Sequence, residues 1–161
     1  MNAADRIFSE IKREAAAAGI PYSLNIHPGI RINSRARTIL GSCRGNEKNG
    51  FVISVSDRLL SAPEIALRQT LAHELIHTCR GCSNHGAVFK KYAARMNSLY
   101  GYEISRTTDP EKFGISAEMP ERYRLMCQSC GRVIRRSRKS RLVQHPEYYL
   151  CTCGGRLKRI K

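Results

Sequence analysis

Residues 61–77 read Ser-Ala-Pro-Glu-Ile-Ala-Leu-Arg-Gln-Thr-Leu-Ala-His-Glu-Leu-Ile-His, and this stretch decides the fold. Ser61 and Glu64 fit a capping box with a proline inside the first turn, which predicts that a helix begins near Ser61. We expect the helix to end at Gly81. Apolar residues recur along it at Ile65, Leu71, Ala72, Leu75 and Ile76. This spacing predicts one buried helix face.

The same helix carries a metal-binding pattern, His73-Glu74-Leu75-Ile76-His77. Residues four positions apart lie one turn apart on the same helix face, so His73 and His77 can direct two imidazoles at one ion. Zinc is the ion that suits neutral imidazole. Glu74 lies beside the first ligand without occupying the metal, which is the position of a general base. The alternative is two ordinary helix histidines beside a solvated carboxylate.

A catalytic zinc site has three protein ligands and one open position. His85 is the expected third ligand, because the break at Gly81 allows the chain to return towards the helix and Gly86 allows a close backbone approach. His85 as a surface residue at a helix start is the alternative. Three ligands and Glu74 together predict metal-assisted hydrolysis of a peptide bond.

The rest of the N-terminal part predicts an α+β fold in which helices pack on a short sheet. Helices are predicted over Asn2–Ala18 and Ala87–Tyr100. Strands are predicted over Tyr22–Ile26, Thr38–Cys43 and Phe51–Ser56, with a turn marked by Gly45-Asn46 and Asn49-Gly50 before the last strand.

Seven cysteines in a chain without a predicted export signal indicate metal rather than disulfides. Four of them predict a structural zinc site, and they are Cys127, Cys130, Cys151 and Cys153. Only one residue separates the second pair, so either Cys151 or His145 completes the site. For Cys79 and Cys82 we expect a packing or loop-shaping role, with a disulfide or a second metal as the alternative. Cys43 is predicted to be a buried apolar residue.

Charge points to a polyanion as the partner. The chain has 161 residues and a net charge of +15, of which residues 120–161 contribute +10 from 12 Lys/Arg and two acids. Nucleic acid is the first candidate, and a solvated charge run is the alternative. The predicted phosphate contacts are Arg132, Arg135, Arg136, Arg138, Lys139 and Arg141. Tyr123, Tyr148 and Tyr149 are candidates for stacking on unpaired bases, which favours single-stranded or distorted DNA.

These residues resemble the SprT-like (Spartan-type) metalloprotease family. The resemblance rests on residues 73–77, on His85-Gly86-Ala87-Val88-Phe89-Lys90, and on the C-terminal ribbon that ends Cys153-Gly154-Gly155-Arg156-Leu157. It implies a zincin-like fold, zinc ligands at His73, His77 and His85, and a catalytic acid/base at Glu74. It also implies DNA-dependent cleavage of proteins that are covalently trapped on DNA.

The predicted organisation is a metalloprotease domain over residues 1–110, a linker over 111–119 and a basic zinc ribbon over 120–161. We expect a monomeric zinc endopeptidase with one catalytic and one structural zinc ion, acting on DNA-bound proteins in the cytoplasm, at the nucleoid in a bacterium. No apolar run is long enough for a membrane span. The alternatives are a non-catalytic zinc-dependent DNA-binding or transcription-associated protein and a general peptidase whose charge is incidental.

Overall fold

The computed structural model describes residues 2–36, 38–115 and 121–161. The chain separates into two compact units, residues 1–117 and 118–161, and each is α+β. The first unit contains α1 (Ala3–Ala17), β1 (Arg31–Asn33), β2 (Gly41–Asn46), β3 (Gly50–Ser56), α2 (Glu64–Ile76) and α3 (Ala87–Tyr100), with 3-10 helices at Asp57–Leu60 and Pro110–Phe113. The second contains β4 (Tyr123–Cys127), β5 (Val133–Arg136), α4 (Arg141–Gln144), a 3-10 helix at Pro146–Tyr148, and β6 (Leu157–Arg159). Among these residues, every helix is too short or too polar to cross a membrane.

Helix α2 is the centre of the first unit. It packs against α1, α3, β2 and β3. Its buried residues include the polar Gln69, Thr70 and Glu74 as well as the expected apolar ones, whereas Ile65 is 40% exposed. The predicted single apolar face is therefore wrong, because neighbours surround the helix on several sides and bury its polar positions too.

The bounds of α2 also differ from the prediction. The helix begins at Glu64, and Pro63 is its N-cap without a side-chain hydrogen bond. The capping box is absent because Ser61 ends the preceding 3-10 helix, where its N–H donates to the Leu59 carbonyl. The helix ends at Ile76 rather than Gly81, since the N–H groups of Thr78 and Cys79 donate to the Leu75 and Ile76 carbonyls in tight turns.

The flanking helices follow the sequence closely. Helix α1 is capped reciprocally by Asn2 and Asp5, and α3 ends at Gly101, which has a φ of 69°. On α3 the buried residues are Phe89, Ala93 and Met96. The apolar Val88 and Leu99 of the same helix are 40% and 58% exposed, because the core lies against a narrow face of α3.

The sheet of the first unit has the order β1-β3-β2, with β1 parallel and β2 antiparallel to β3. The predicted strand over Tyr22–Ile26 is wrong, since Ile26 forms only an isolated bridge to Phe51. Strand β1 was not predicted from the sequence, because all three of its residues are exposed and no buried apolar position marks it. Strand β2 lies later than predicted, and the pairing of Asn46 with Gly50 leaves residues 47–49 as the turn.

The second unit is a small sheet of order β5-β4-β6. Its core is formed by Leu125, Val143 and Leu157 together with the buried Cys127 and Cys151. In the region predicted as a linker, Pro110–Phe113 is helical and Ile115 is buried in the core of the first unit. Residues 116–119 of that prediction lie outside the described residues.

A half-buried charge cluster joins α1 to α2. The Arg68 guanidinium, whose side chain is 18% exposed, donates to Glu10 at 2.7 Å and to Glu14 at 2.5 Å. Tyr102 donates to the second oxygen of Glu14 at 2.5 Å. Removing Arg68 takes the cation away from Glu14 and leaves Glu10 with the exposed Arg6 at 3.6 Å.

We predict that Arg68→Ala lowers the free energy of unfolding by about 2 kcal/mol, because breaking a partly buried ion pair strands the remaining charges. Urea denaturation measures the change. Arg6→Ala is the matched control, since Arg6 contacts Glu10 only at 3.6 Å and its side chain is 62% exposed. Equal effects of the two substitutions would contradict a structural role for the cluster.

Candidate active site and metal centres

Three imidazoles converge at the C-terminal end of α2. His73 lies in the last turn of the helix, His77 caps it, and His85 follows from the loop that leads to α3. Their Nε2 atoms are 3.1 Å apart for His73 and His77, 3.2 Å for His77 and His85, and 3.0 Å for His73 and His85. The sequence-predicted triad is therefore brought together around a single point.

The spacing of the three rings fits zinc, and so does the protonation of His73 and His85. Nitrogen ligands at ~2.0–2.1 Å from a tetrahedral zinc ion lie about 3.3 Å from one another, close to the separations found here. Burial, followed by the neighbouring His77 and His85, lowers the pKa of His73 to about 4, and burial also lowers the pKa of His85. Both rings are thus neutral at physiological pH, the form that binds metal.

The ring of His77 is held by the loop that follows it. Its Nδ1 atom donates to the Cys82 carbonyl at 2.7 Å, so that Nε2 is left with its lone pair for an ion. Phe89, 1% exposed, lies with its ring centroid 4.7–4.9 Å from all three imidazole centroids. The tautomer of His77 is therefore fixed, and the Phe89 ring packs against all three imidazoles, so the three Nε2 atoms are in position before an ion binds.

Glu74 lies in the same cleft and is 6% exposed. Burial raises its pKa to about 8, and the Cys43 backbone opposes the shift. A cation held by the imidazoles favours the carboxylate form and opposes the effect of burial. Glu74 can fit here only because position 41 is glycine, since a Cβ on Gly41 would lie 2.6 Å from its Oε1 atom. This contact between distant residues was not predictable from the sequence.

The cleft around these residues has a volume of about 620 Å³. Its lining includes residues 38–43, on and before the edge strand β2, and residues 106–108. Cys43 is half-buried rather than buried, and it faces this cleft because β2 lies at the sheet edge. The group of three histidines includes no cysteine or carboxylate as a fourth ligand among the described residues. The donor set is therefore open on the side of the cleft.

Four thiols form a second group in the C-terminal unit, at Cys127, Cys130, Cys151 and Cys153. The Sγ atoms are 3.5 Å apart for Cys127 and Cys153 and 3.7 Å for Cys130 and Cys151. Thiolates at ~2.3 Å from a tetrahedral zinc ion lie about 3.8 Å apart, so the set fits this metal. The backbone N–H of Cys153 lowers the pKa of Cys151 to about 6, which favours the thiolate that binds metal.

Between the two candidates for the last ligand position, the structure brings Cys151 into the group. His145 instead contacts Glu147 at 3.2 Å and stacks on Tyr148. The short Cys151–Cys153 spacing is accommodated by Gly154, whose φ is 81°. Gly155 also allows the chain to pass close to the group, since a Cβ there would lie 2.6 Å from the Cys127 sulfur.

Cys79 and Cys82 are free thiols, 4% and 0% exposed, in the core of the first unit. Burial raises the pKa of both. Neither belongs to the histidine group. Their burial agrees with the predicted packing role, and the Cys82 carbonyl adds the contact to His77 that the sequence did not reveal.

The basic residues predicted to contact phosphate are divided between surfaces. In β5, Arg135 pairs across the sheet with Arg124 and lies 3.6 Å from Glu121, whereas Arg136 pairs with Tyr123. Successive strand residues face opposite sides of a sheet, so these two arginines point apart. Arg132 donates to the Thr152 hydroxyl, and Arg138, Lys139 and Arg141 are exposed around the start of α4.

A model of the SprT-like family matches residues 8–108, which contain the three histidines, Glu74 and the other residues that line the cleft. This chain belongs to the SprT-like family. The family is associated with metalloprotease-type domains. The comparison with curated proteins gave no match.

We predict two zinc ions per chain that are lost independently. His85→Ala should remove one equivalent and Cys151→Ser the other, because the two ligand groups share no residue. Zinc content after dialysis, measured by mass spectrometry with inductively coupled plasma, tests this. His145→Ala is the control that retains both ions, and loss of zinc from it would contradict the assignment of Cys151.

We predict that the free energy of unfolding of the zinc-free protein depends on pH because of Glu74. Its folded pKa of about 8 lies above the ordinary value of 4.5, so the stability it contributes is complete below about pH 4.5 and is lost as pH rises through 8. The unfolding free energy of the wild type should therefore fall relative to that of Glu74→Gln over this range. Urea titrations at several pH values measure the difference, with the exposed Glu47→Gln as control. Parallel curves for wild type and Glu74→Gln would contradict the buried carboxyl.

Proposed function

We propose that this protein is a zincin-like zinc metalloendopeptidase that cleaves proteins crosslinked to or trapped on DNA. The observation that carries the proposal is the set of three Nε2 atoms 3.0–3.2 Å apart, in a cleft that also contains the buried Glu74. Open histidine sites with an adjacent carboxylate serve hydrolysis, whereas structural zinc sites are closed by four protein ligands.

The chemistry follows from the positions of these groups. Zinc held by His73, His77 and His85 supplies Lewis-acid polarisation and lowers the pKa of water towards neutrality. Glu74 accepts a proton from the water that attacks the peptide carbonyl carbon. The protonated Glu74 then donates this proton to the amide nitrogen as the C–N bond breaks, and the carboxylate is regenerated.

The cleft offers an extended peptide a place to bind. Strand β2 pairs with β3 on one side only and borders the cleft with residues 41–43. An exposed strand edge can form main-chain hydrogen bonds to an added strand. An unfolded segment of a substrate protein would align there beside Glu74, while a folded domain would be too wide for the cleft.

The second unit supports a role in binding single-stranded DNA. A groove of about 670 Å³ is lined by Tyr148, by the basic Arg156, Lys158 and Arg159, and by one acidic residue, Glu147. Tyr148 is 69% exposed, and its ring stacks on that of His145 with centroids 5.3 Å apart. An exposed aromatic ring beside cations is suited to an unpaired base and its phosphate. Tyr123 is less suited, since the Arg159 guanidinium covers its ring at 4.9 Å.

Glu74→Gln should retain zinc and fold but reduce peptide cleavage at least about 100-fold, because the amide cannot accept the proton of water. Cleavage of an unfolded protein crosslinked to an oligonucleotide, followed by gel electrophoresis, measures the loss. Glu47→Gln is the control for the same chemical change at an exposed position. An unchanged rate for Glu74→Gln would exclude this mechanism.

The contribution of DNA is tested by comparing cleavage of the same protein free and crosslinked to single-stranded DNA. We expect faster cleavage of the crosslinked form, because the basic unit raises the local concentration of the substrate. Equal rates would indicate a general peptidase with an incidental charge.

Replacing Arg156, Lys158 and Arg159, which line the groove beside Tyr148, with alanine should weaken binding to oligothymidylate and reduce the slope of log K against log salt by about 2, since each phosphate contact on a single strand contributes ~0.7. Fluorescence anisotropy at several salt concentrations gives the slope. The matched control replaces the exposed Arg13, Lys48 and Lys91 of the first unit. An equal reduction in the control would show that net charge alone governs binding.

A further inference from the structure

A second cavity borders the candidate active site. It has a volume of about 270 Å³ and lies between α3 and residues 104–106. His85 and Arg106 line both this cavity and the cleft that contains Glu74. A side chain that enters the second cavity can therefore belong to a peptide that lies in the cleft beside the three histidines.

The interior of this cavity is apolar. Phe89, Ala93 and Ile104 line it and are 1%, 4% and 6% exposed in the folded unit. Asn97 also lines the cavity, but its amide is already used. Its Nδ2 donates to the Ile104 carbonyl at 3.0 Å and its Oδ1 accepts from the Ile104 N–H at 2.8 Å. The cavity thus offers its occupant contact with carbon atoms rather than hydrogen bonds.

The same asparagine fixes the outer wall. Asn97 holds Ile104 against α3 and thereby positions the next residue, Ser105. The Ser105 backbone lies near His73, but it does not form a hydrogen bond with the buried Nδ1 atom of that ring. The Glu103 N–H donates to Gln69 of α2 at 3.3 Å. Because residues 103 and 104 are hydrogen-bonded to α2 and α3, this wall is in place before a ligand binds.

The charges at this cavity have one sign. Lys90 and Arg106 line it, both are exposed, and no carboxylate is among its lining residues in the described chain. A cationic side chain placed here would lose hydration and meet two like charges. The two cations therefore disfavour lysine or arginine, and the apolar interior favours an uncharged apolar side chain.

We propose that this cavity is a specificity pocket that binds one apolar side chain, such as leucine, methionine or phenylalanine, of a substrate residue next to the scissile bond. The proposal rests on the proposed peptidase function and names the sequence feature that the site selects. The occupant is a side chain of the peptide bound in the cleft, because His85 and Arg106 line both the cavity and the cleft.

The test uses Gly/Ser-rich fluorogenic peptides that are identical except for one residue, which is leucine, glycine or lysine. With the zinc-loaded wild type, kcat/KM should be about tenfold higher for the leucine peptide than for the glycine peptide, and lowest for the lysine peptide. Mass spectrometry should place the cut beside the variable residue. Binding of the same peptides to zinc-loaded Glu74→Gln, measured by fluorescence polarisation, should give the same ranking without turnover.

The variant Ala94→Phe fills the cavity from an exposed position on α3. It should lower kcat/KM for the leucine peptide to the level of the glycine peptide and leave the glycine peptide unaffected. Ala16→Phe makes the same change at an exposed position of α1 and should alter neither.

Equal cleavage of the leucine and glycine peptides by the wild type would overturn the pocket while leaving the peptidase intact. An equal effect of Ala94→Phe on both peptides would overturn it as well. If the wild type cleaves none of the peptides and no protein substrate, the proposed function fails, and the ranking of peptides bound by Glu74→Gln still decides whether the cavity selects apolar side chains.

Discussion

The burial of α2 at the centre of the first unit is the constraint on which the candidate site depends. Contacts with α1, α3 and two strands fix the axis of this helix, and its end fixes His73 and His77. The tight turns after Ile76 then return the chain so that His85 reaches the same point. Because the core holds the helix on several sides, the three histidines need little rearrangement to receive an ion. The ring of Phe89 packs against all three imidazoles.

Burial also explains why the site combines neutral imidazoles with a carboxyl whose pKa is raised. Desolvation disfavours the charged form of both kinds of group, so it lowers the pKa of His73 and raises that of Glu74. A dication bound by the neutral rings would favour the carboxylate form of Glu74, which makes both tendencies compatible with the proposed hydrolysis. The glycine at position 41 allows Glu74 to lie directly against the edge strand on which we place the substrate.

Local periodicity predicted the parts of the fold that depend on neighbours in the chain. The helical spacing of His73 and His77, the bounds of α3 and the thiol pairs of the ribbon are of this kind. Contacts between distant segments were not predictable: Gly41 against Glu74, Gly155 against the Cys127 sulfur, and the Asn97 amide that fixes residues 104–106. The strand predicted over Tyr22–Ile26 failed because its apolar residues pack as a loop, and the exposed β1 carried no alternation to reveal it.

The most direct test of the account is a crystal structure of the zinc-loaded protein with an anomalous difference map recorded at the zinc edge. We expect one peak bonded to the Nε2 atoms of His73, His77 and His85 at ~2.1 Å, with a solvent oxygen as its fourth neighbour. A peak with a sulfur or a protein carboxylate in that fourth position, or no peak between the three rings, would contradict it.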